Sequence, residues 1–154
     1  MSIDHDEFTL TRTIAATPAS VFRAFAEEDL KRQWFVTEGP GTGKSDYRVD
    51  FRVGGGERGT FEITEGPGAG LHANATTYFD IQENERIAYA YSMAWDGRVH
   101  SASLVTVEFA PTEGGTRLTY TERGAYFPPS DGAKMRAGGV GAQLDQLVAM
   151  MEDA

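Results

Sequence analysis

The chain has 154 residues, enough for one domain with a single sizeable core. Its 14 Lys and Arg stand against 23 Asp and Glu, a net charge of −9, which argues against a general nucleic-acid binder and against docking on anionic lipid. It has no cysteine, which removes disulfides, thiolate chemistry, iron–sulfur clusters and cysteine-built zinc sites.

The opening MSIDHDEFTL lacks the basic and apolar regions of a signal peptide, and no apolar run is long enough to span a bilayer. Cytoplasmic residence is therefore expected. Residues 1–6 are polar and expected to be loose. From Glu7 the pattern alternates, with Phe8, Leu10 and Ile14 on one face and Thr9, Thr11 and Thr13 on the other, which predicts a strand. Arg12 interrupts the apolar face. Thr17 is the expected N-cap of a first helix and Pro18 its first residue. Val21, Phe22, Phe25 and Ala26 recur at helical spacing, and a second short helix is expected over Asp29–Phe35. Residues 36–45 are glycine-rich and read as a loop.

Alternation then predicts strands over 46–53, 60–64, 71–81, 86–95, 99–109 and about 116–123, with Asp96-Gly97 a hairpin turn. The consecutive hairpins imply an antiparallel meander. Val140, Leu144, Leu147, Val148 and Met151 form one face of a C-terminal helix. The expected architecture is a single α+β domain with a helix packed on one face of an antiparallel sheet.

Two glycine motifs imitate phosphate loops. Gly39-Pro40-Gly41-Thr42-Gly43-Lys44-Ser45 has Glu38 where a P-loop needs glycine, and it leads into a strand. Gly54-Gly55-Gly56-Glu57-Arg58-Gly59 fits the dinucleotide fingerprint, but alternating residues follow it instead of a helix. A glycine-rich hairpin turn is the reading for the second motif. His5, His72 and His100 show no metal-ligand spacing, and His72 and His100 are expected on the polar, outer side of their strands. No metal and no cofactor are expected.

Tyr89, Tyr91, Met93 and Trp95 lie two apart on one face of strand 86–95. Tyr120 and Glu122 share a face of the last strand, and Thr77, Ser101 and Ser103 fall among apolar neighbours. Two readings stay open here: a packed core with polar tips, or an aromatic cavity with a few orienting polar groups. Glu122 needs a partner if buried, and Arg12 is the candidate. Alternatively, both lie at a wet end of the sheet.

Several segments, in order, resemble the activator-of-heat-shock-protein-90-ATPase-like family of the START/SRPBCC superfamily, over about residues 8–152. They are Phe8–Ile14 with Pro18-Ala19-Ser20-Val21-Phe22, Leu30–Phe35, Asp50-Phe51-Arg52-Val53-Gly54-Gly55, Glu85-Arg86-Ile87, Val105–Phe109 with Gly115–Thr119, and Leu144-Asp145-Gln146-Leu147. The resemblance implies a helix-grip (START/Bet v 1-like) fold: a curved antiparallel sheet of about six or seven strands, two short helices and a long C-terminal helix enclosing a cavity. The chain departs from the pattern at Val140, where the family often has Trp, at the surrounding Gly138, Gly139 and Gly141, and at Glu122, where it often has His. Three glycines in a helix imply that the helix starts later or that close packing requires them. The separate N-terminal domain of true chaperone activators is absent from this sequence.

The expected function is binding of a small hydrophobic ligand, aromatic or lipid-like. The cavity would be lined by Trp34, Phe35, Phe51, Phe61, Tyr89, Tyr91, Met93, Trp95, Tyr120, Glu122, Val140 and Leu144. One alternative is a polyketide cyclase or aromatase-like enzyme using Glu122, Tyr120 and Arg12 as acid–base groups. The other is a chaperone-associated or regulatory interaction module. Membrane insertion is not expected. A homodimer is suggested by the resemblance, and a chaperone partner is the less favoured expectation.

Overall fold

The computed structural model describes residues 2–36 and 38–153. Its elements in chain order are β1 (Asp4–Ile14), α1 (Pro18–Ala26), α2 (Glu28–Phe35), β2 (Thr42–Val49), β3 (Gly56–Ile63), β4 (Gly70–Gln82), β5 (Arg86–Trp95), β6 (Arg98–Thr112), β7 (Gly115–Tyr126) and α3 (Ala133–Glu152). The seven strands form one antiparallel sheet in the order β1-β7-β6-β5-β4-β3-β2. Strands β2 to β7 are the expected meander, and β1 closes the far edge against β7. This is the curved sheet and long C-terminal helix of a helix-grip fold.

Local chemistry explains most boundaries. Thr17 is extended and its hydroxyl accepts from Ser20 N at 3.2 Å, so the N-cap and the N1 proline act as expected. β1 begins at Asp4, earlier than expected, because β7 runs on to Tyr126 and supplies backbone partners for Asp4 to Asp6. The strand expected over 46–53 is displaced towards the N-terminus. It starts at Thr42, inside the expected loop, and stops at Val49. Arg52 N donates to Asp50 O and Gly55 N to Arg52 O, and this tight turn ends at Gly54 with φ +84°. Val53 is accordingly exposed. Gly56 and Gly59 lie within β3, so the fingerprint-like glycines serve strand pairing. A Cβ on Gly56 would collide with the Thr76 carbonyl.

The register shifts at three places, between Thr42 and Ser45 at the start of β2 and at two bulges beside the cavity. Tyr78 pairs with Tyr89 and Asp80 with Ala88, leaving Phe79 as the extra residue. Met93 pairs with Ser101 and Ala94 with Val99, leaving His100 extra. A bulge reverses which face the following residues meet and increases local twist.

The apolar core occupies one end of the space between sheet and helices. Phe22, Phe25 and Phe109 meet edge to face at 5.3–5.4 Å, and Trp34 lies 4.8 Å from Phe25. The Trp34 indole donates to Ala24 O at 2.9 Å, so its polar atom is satisfied in the core. Along β6 the inward series then reads Phe109, Val107, Val105, Ser103, Ser101, all buried. The apolar core therefore ends part-way along β6, and an open space follows as the sheet runs on.

Candidate functional site

That space is a cavity of about 700 Å³ between the concave face of the sheet and α2 and α3. It lies within the ~300–1,000 Å³ range of small-molecule sites. Trp34 and Phe35 reach it from α2, and Val140 and Leu144 from α3. Phe61 reaches it from β3, Tyr89, Tyr91, Met93 and Trp95 from β5, and Tyr120 from β7. Phe51 does not line it. Phe51 sits in the turn after β2 and packs against Phe22 at 5.7 Å and Tyr78 at 5.1 Å.

Glu122 does not line it either; it is completely buried behind the cavity wall. Its Oε1 accepts from Tyr91 Oη at 2.7 Å and Tyr120 Oη at 2.6 Å. Its Oε2 accepts from Tyr126 Oη at 2.7 Å and Ser103 Oγ at 2.9 Å. The expected partner Arg12 is elsewhere: it pairs with Asp145 at 2.8 Å and donates to Gly141 O, tying β1 to α3. Arg12 stands opposite Leu118 across β1 and β7, four residues from Glu122, which puts the guanidinium out of reach. The cation that faces Glu122 is Arg136 of α3, at 3.6 Å. Arg136 also donates to Tyr91 Oη at 2.8 Å and Ser101 Oγ at 2.7 Å. Burial opposes its charge, but Tyr91 and Glu122 hold it protonated. Of the three acid–base candidates, only Tyr120 touches the cavity.

A second buried carboxylate, Glu57 of β3, was not singled out by the sequence pattern. It pairs with Lys31 of α2 at 2.7 Å, and both residues are 3% exposed. Its Oε2 also accepts from Tyr47 Oη at 2.7 Å and Tyr78 Oη at 3.0 Å, and its Oε1 from Asn74 Nδ2 at 3.1 Å. Burial alone would raise its pKa, but the Lys31 charge and the surrounding donors outweigh this and hold it below the ordinary carboxylate value. Lys31 also lies 4.7 Å from the Phe35 ring centre.

The two histidines expected outside line the cavity. His72 is stacked between Phe61 at 5.0 Å and Trp95 at 5.4 Å, its register neighbours on β3 and β5. His72 Nε2 lies 2.7 Å from Gly68 O. The inward face of β4 carries His72, Asn74, Thr76 and Tyr78, whereas Leu71, Thr77 and Phe79 are exposed. Thr77 therefore points away from the core, contrary to expectation. The face of β4 was misread because its inward residues are the polar ones, and parity with Tyr78 was the available signal. His100 turns inward at the β6 bulge, which alternation does not reveal. Burial and the Arg136 charge lower its pKa.

The glycines of α3 are not explained by a late helix start, since the helix begins at Ala133. Close packing does not require Gly138 or Gly139 either, for a Cβ at each would meet nothing within 4 Å. Gly139 lines the cavity. Its missing side chain leaves that volume open.

Among the described residues there is no cluster of metal-ligating side chains and no helix long and apolar enough to cross a membrane.

The chain is similar to several solved bacterial structures. An uncharacterized protein from Rhizobium leguminosarum is 36% identical with a TM-score of 0.89, covering 99% of this chain and 98% of its own. A protein from Rhizobium loti is 41% identical with a TM-score of 0.82, covering 97% of this chain and 99% of its own. A protein from Chromobacterium violaceum is 26% identical with a TM-score of 0.74, covering 95% and 97%. No curated protein matches. The model of the family described as "Activator of Hsp90 ATPase homolog 1-like protein" matches residues 15–152, and with the helix-grip architecture this places the chain in that family.

Proposed function

We propose that this protein binds a small hydrophobic molecule, aromatic or lipid-like, between the curved sheet and α3. The observation that carries the reading is the 700 Å³ cavity itself, walled by aromatic rings, among which Tyr47, Tyr91 and Tyr120 give their protons to buried carboxylates and Trp34 and Trp95 to backbone carbonyls. A packed core would close such a space, because interiors reach crystal-like density. The cationic groups of the wall are also committed, which leaves an apolar, shape-defining surface. The open position at Gly139 adds volume where a side chain would reduce it.

The test is a fluorescence titration with N-phenyl-1-naphthylamine, a neutral apolar dye. Saturable binding to one site is expected, and Gly139→Trp, which adds an indole at a position lining the cavity, should weaken it while the far-UV circular dichroism stays unchanged. Non-saturable fluorescence, or equal binding by a folded Gly139→Trp protein, would sink the reading.

A further inference from the structure

The chain has six tyrosines, and all of them face the interior side of the sheet. Tyr47 and Tyr78 donate to Glu57; Tyr91, Tyr120 and Tyr126 donate to Glu122. Tyr89 stands between the two groups, stacked edge-on to Tyr78 at 5.9 Å and tilted against Tyr91 at 6.2 Å. Its hydroxyl lies beside Tyr120 but makes no well-aligned hydrogen bond to any described residue, and the side chain lines the cavity.

From this we infer that Tyr89 orients the ligand by donating a hydrogen bond, and that the ligand is a neutral aromatic compound bearing a carbonyl oxygen. The inference rests on the cavity reading above and adds the chemistry of the occupant. Tyr89 is half-buried and lines the cavity, so a ligand acceptor can take the phenol proton that no protein acceptor holds. The site keeps Tyr89 a donor: burial raises its pKa, and the charges of Glu57 and Glu122 raise it further. The same two carboxylates oppose an anion placed at that hydroxyl. Lys31 and Arg136, the cations of the described wall, already face Glu57 at 2.7 Å and Glu122 at 3.6 Å. At Tyr89 a ligand offering a cation or donor finds both buried carboxylates taken, since Glu57 holds Lys31, Tyr47, Tyr78 and Asn74, and Glu122 is enclosed by four hydroxyls, while the other lining carboxylates, Asp46 and Asp131, are exposed. Of the four tyrosines that line the cavity, Tyr47, Tyr91 and Tyr120 give their protons to Glu57 or Glu122 and Tyr89 alone does not, and a carbonyl is a strong neutral oxygen acceptor that an aromatic plane can carry.

The experiment uses two dyes of one shape. The first is 6-propionyl-2-(dimethylamino)naphthalene, an aromatic ketone whose emission shifts to the red when its carbonyl accepts a hydrogen bond. The second is 6-propyl-2-(dimethylamino)naphthalene, which lacks the carbonyl. Tyr89→Phe removes only the hydroxyl and leaves every hydrogen bond to Glu57 and Glu122 in place. The ketone should bind the wild type about tenfold tighter than the propyl compound, a typical net gain for one hydrogen bond. Tyr89→Phe should erase that advantage and shift the bound emission to the blue, leaving the propyl compound unaffected. Equal ketone affinity and emission in wild type and Tyr89→Phe would overturn the inference while the propyl compound still supported the cavity. Tighter binding of 6-(dimethylamino)-2-naphthoate than of the ketone would overturn the assignment of a neutral ligand. Binding of none of the three would overturn the inference together with the reading beneath it.

Discussion

Lys31→Met should be among the most damaging single substitutions in this protein, and its cost should depend on pH in a defined direction. The lysine ammonium lies 2.7 Å from Glu57, and both residues are 3% exposed. Methionine keeps the stem's bulk and removes the charge, so Glu57 remains buried with three neutral donors and no cation. Breaking a buried pair in this way costs about 3–5 kcal/mol, against a total stability of ~5–15 kcal/mol for an ordinary domain. In the wild type the Glu57 pKa is lowered, so its stabilising contribution is complete above the unfolded value near 4.5 and is lost as pH falls through the lower folded value. In Lys31→Met the sign reverses. Burial without the lysine raises the folded pKa above the unfolded one, and the penalty then grows with pH. One proton corresponds to ~1.36 kcal/mol per pH unit, so the loss at pH 7 should exceed that at pH 5 by up to ~2.7 kcal/mol.

Urea unfolding followed by far-UV circular dichroism at pH 5 and pH 7 measures both quantities. The double variant Lys31→Met/Glu57→Gln should recover part of the stability and lose the excess pH dependence, because Gln carries no charge and still accepts from Tyr47 and Tyr78. A loss below ~1 kcal/mol at pH 7, or the same loss at both pH values, would refute the reasoning.

Gly139→Ala adds a methyl that meets nothing within 4 Å and should stabilise the helix by about 1 kcal/mol, read as a raised thermal midpoint. Thr17→Ala removes the hydroxyl that accepts from Ser20 N and should cost about 1 kcal/mol in the same melt. Arg12→Ala should cost no more than ~1 kcal/mol and leave N-phenyl-1-naphthylamine binding unchanged, because its partner Asp145 is largely exposed. Arg136→Met should cost about 3–5 kcal/mol, because it strips the only facing cation, among the described residues, from a fully buried Glu122. Equal behaviour of the Arg12 and Arg136 variants in urea unfolding would contradict the assignment of Glu122 to Arg136.

The order of elements was legible because it rests on local signals: Thr17-Pro18 for the first helix, alternation for the strands, and apolar spacing from Val140 for the last. The apolar end of the cavity was legible for the same reason, since Tyr89, Tyr91, Met93 and Trp95 share one parity. Three features were not legible. Strand β4 turns a polar face inward, and the rule that apolar residues mark the inside fails where the inside is a cavity. The bulge at His100 shifts parity by one, and period-two counting cannot anticipate an inserted residue. The partners of Glu57 and Glu122 lie 26 residues before Glu57 and on α3 after the last strand, so the pairing appears only when the helices fold over the sheet.

Those two carboxylates also explain how a chain can line a cavity with tyrosines and keep most of their hydroxyls satisfied. A phenol facing an apolar space needs an acceptor, and water is the usual one. Here Glu57 and Glu122 supply acceptors from within the wall, each neutralised by a lysine or arginine from a helix. The hydroxyls are drawn back into the wall and the ring faces are left towards the cavity. The arrangement makes the apolar surface depend on buried charge, so loss of either cation should disturb the cavity as well as the fold. Arg136→Lys gives the sharpest form of this claim. It keeps the positive charge near Glu122 but removes the fork that donates to both Tyr91 and Ser101. Stability should fall by less than in Arg136→Met, while N-phenyl-1-naphthylamine affinity should drop, because Tyr91 is no longer held from two sides. Unchanged dye affinity in a protein whose urea midpoint has fallen would show that Arg136 serves the fold alone.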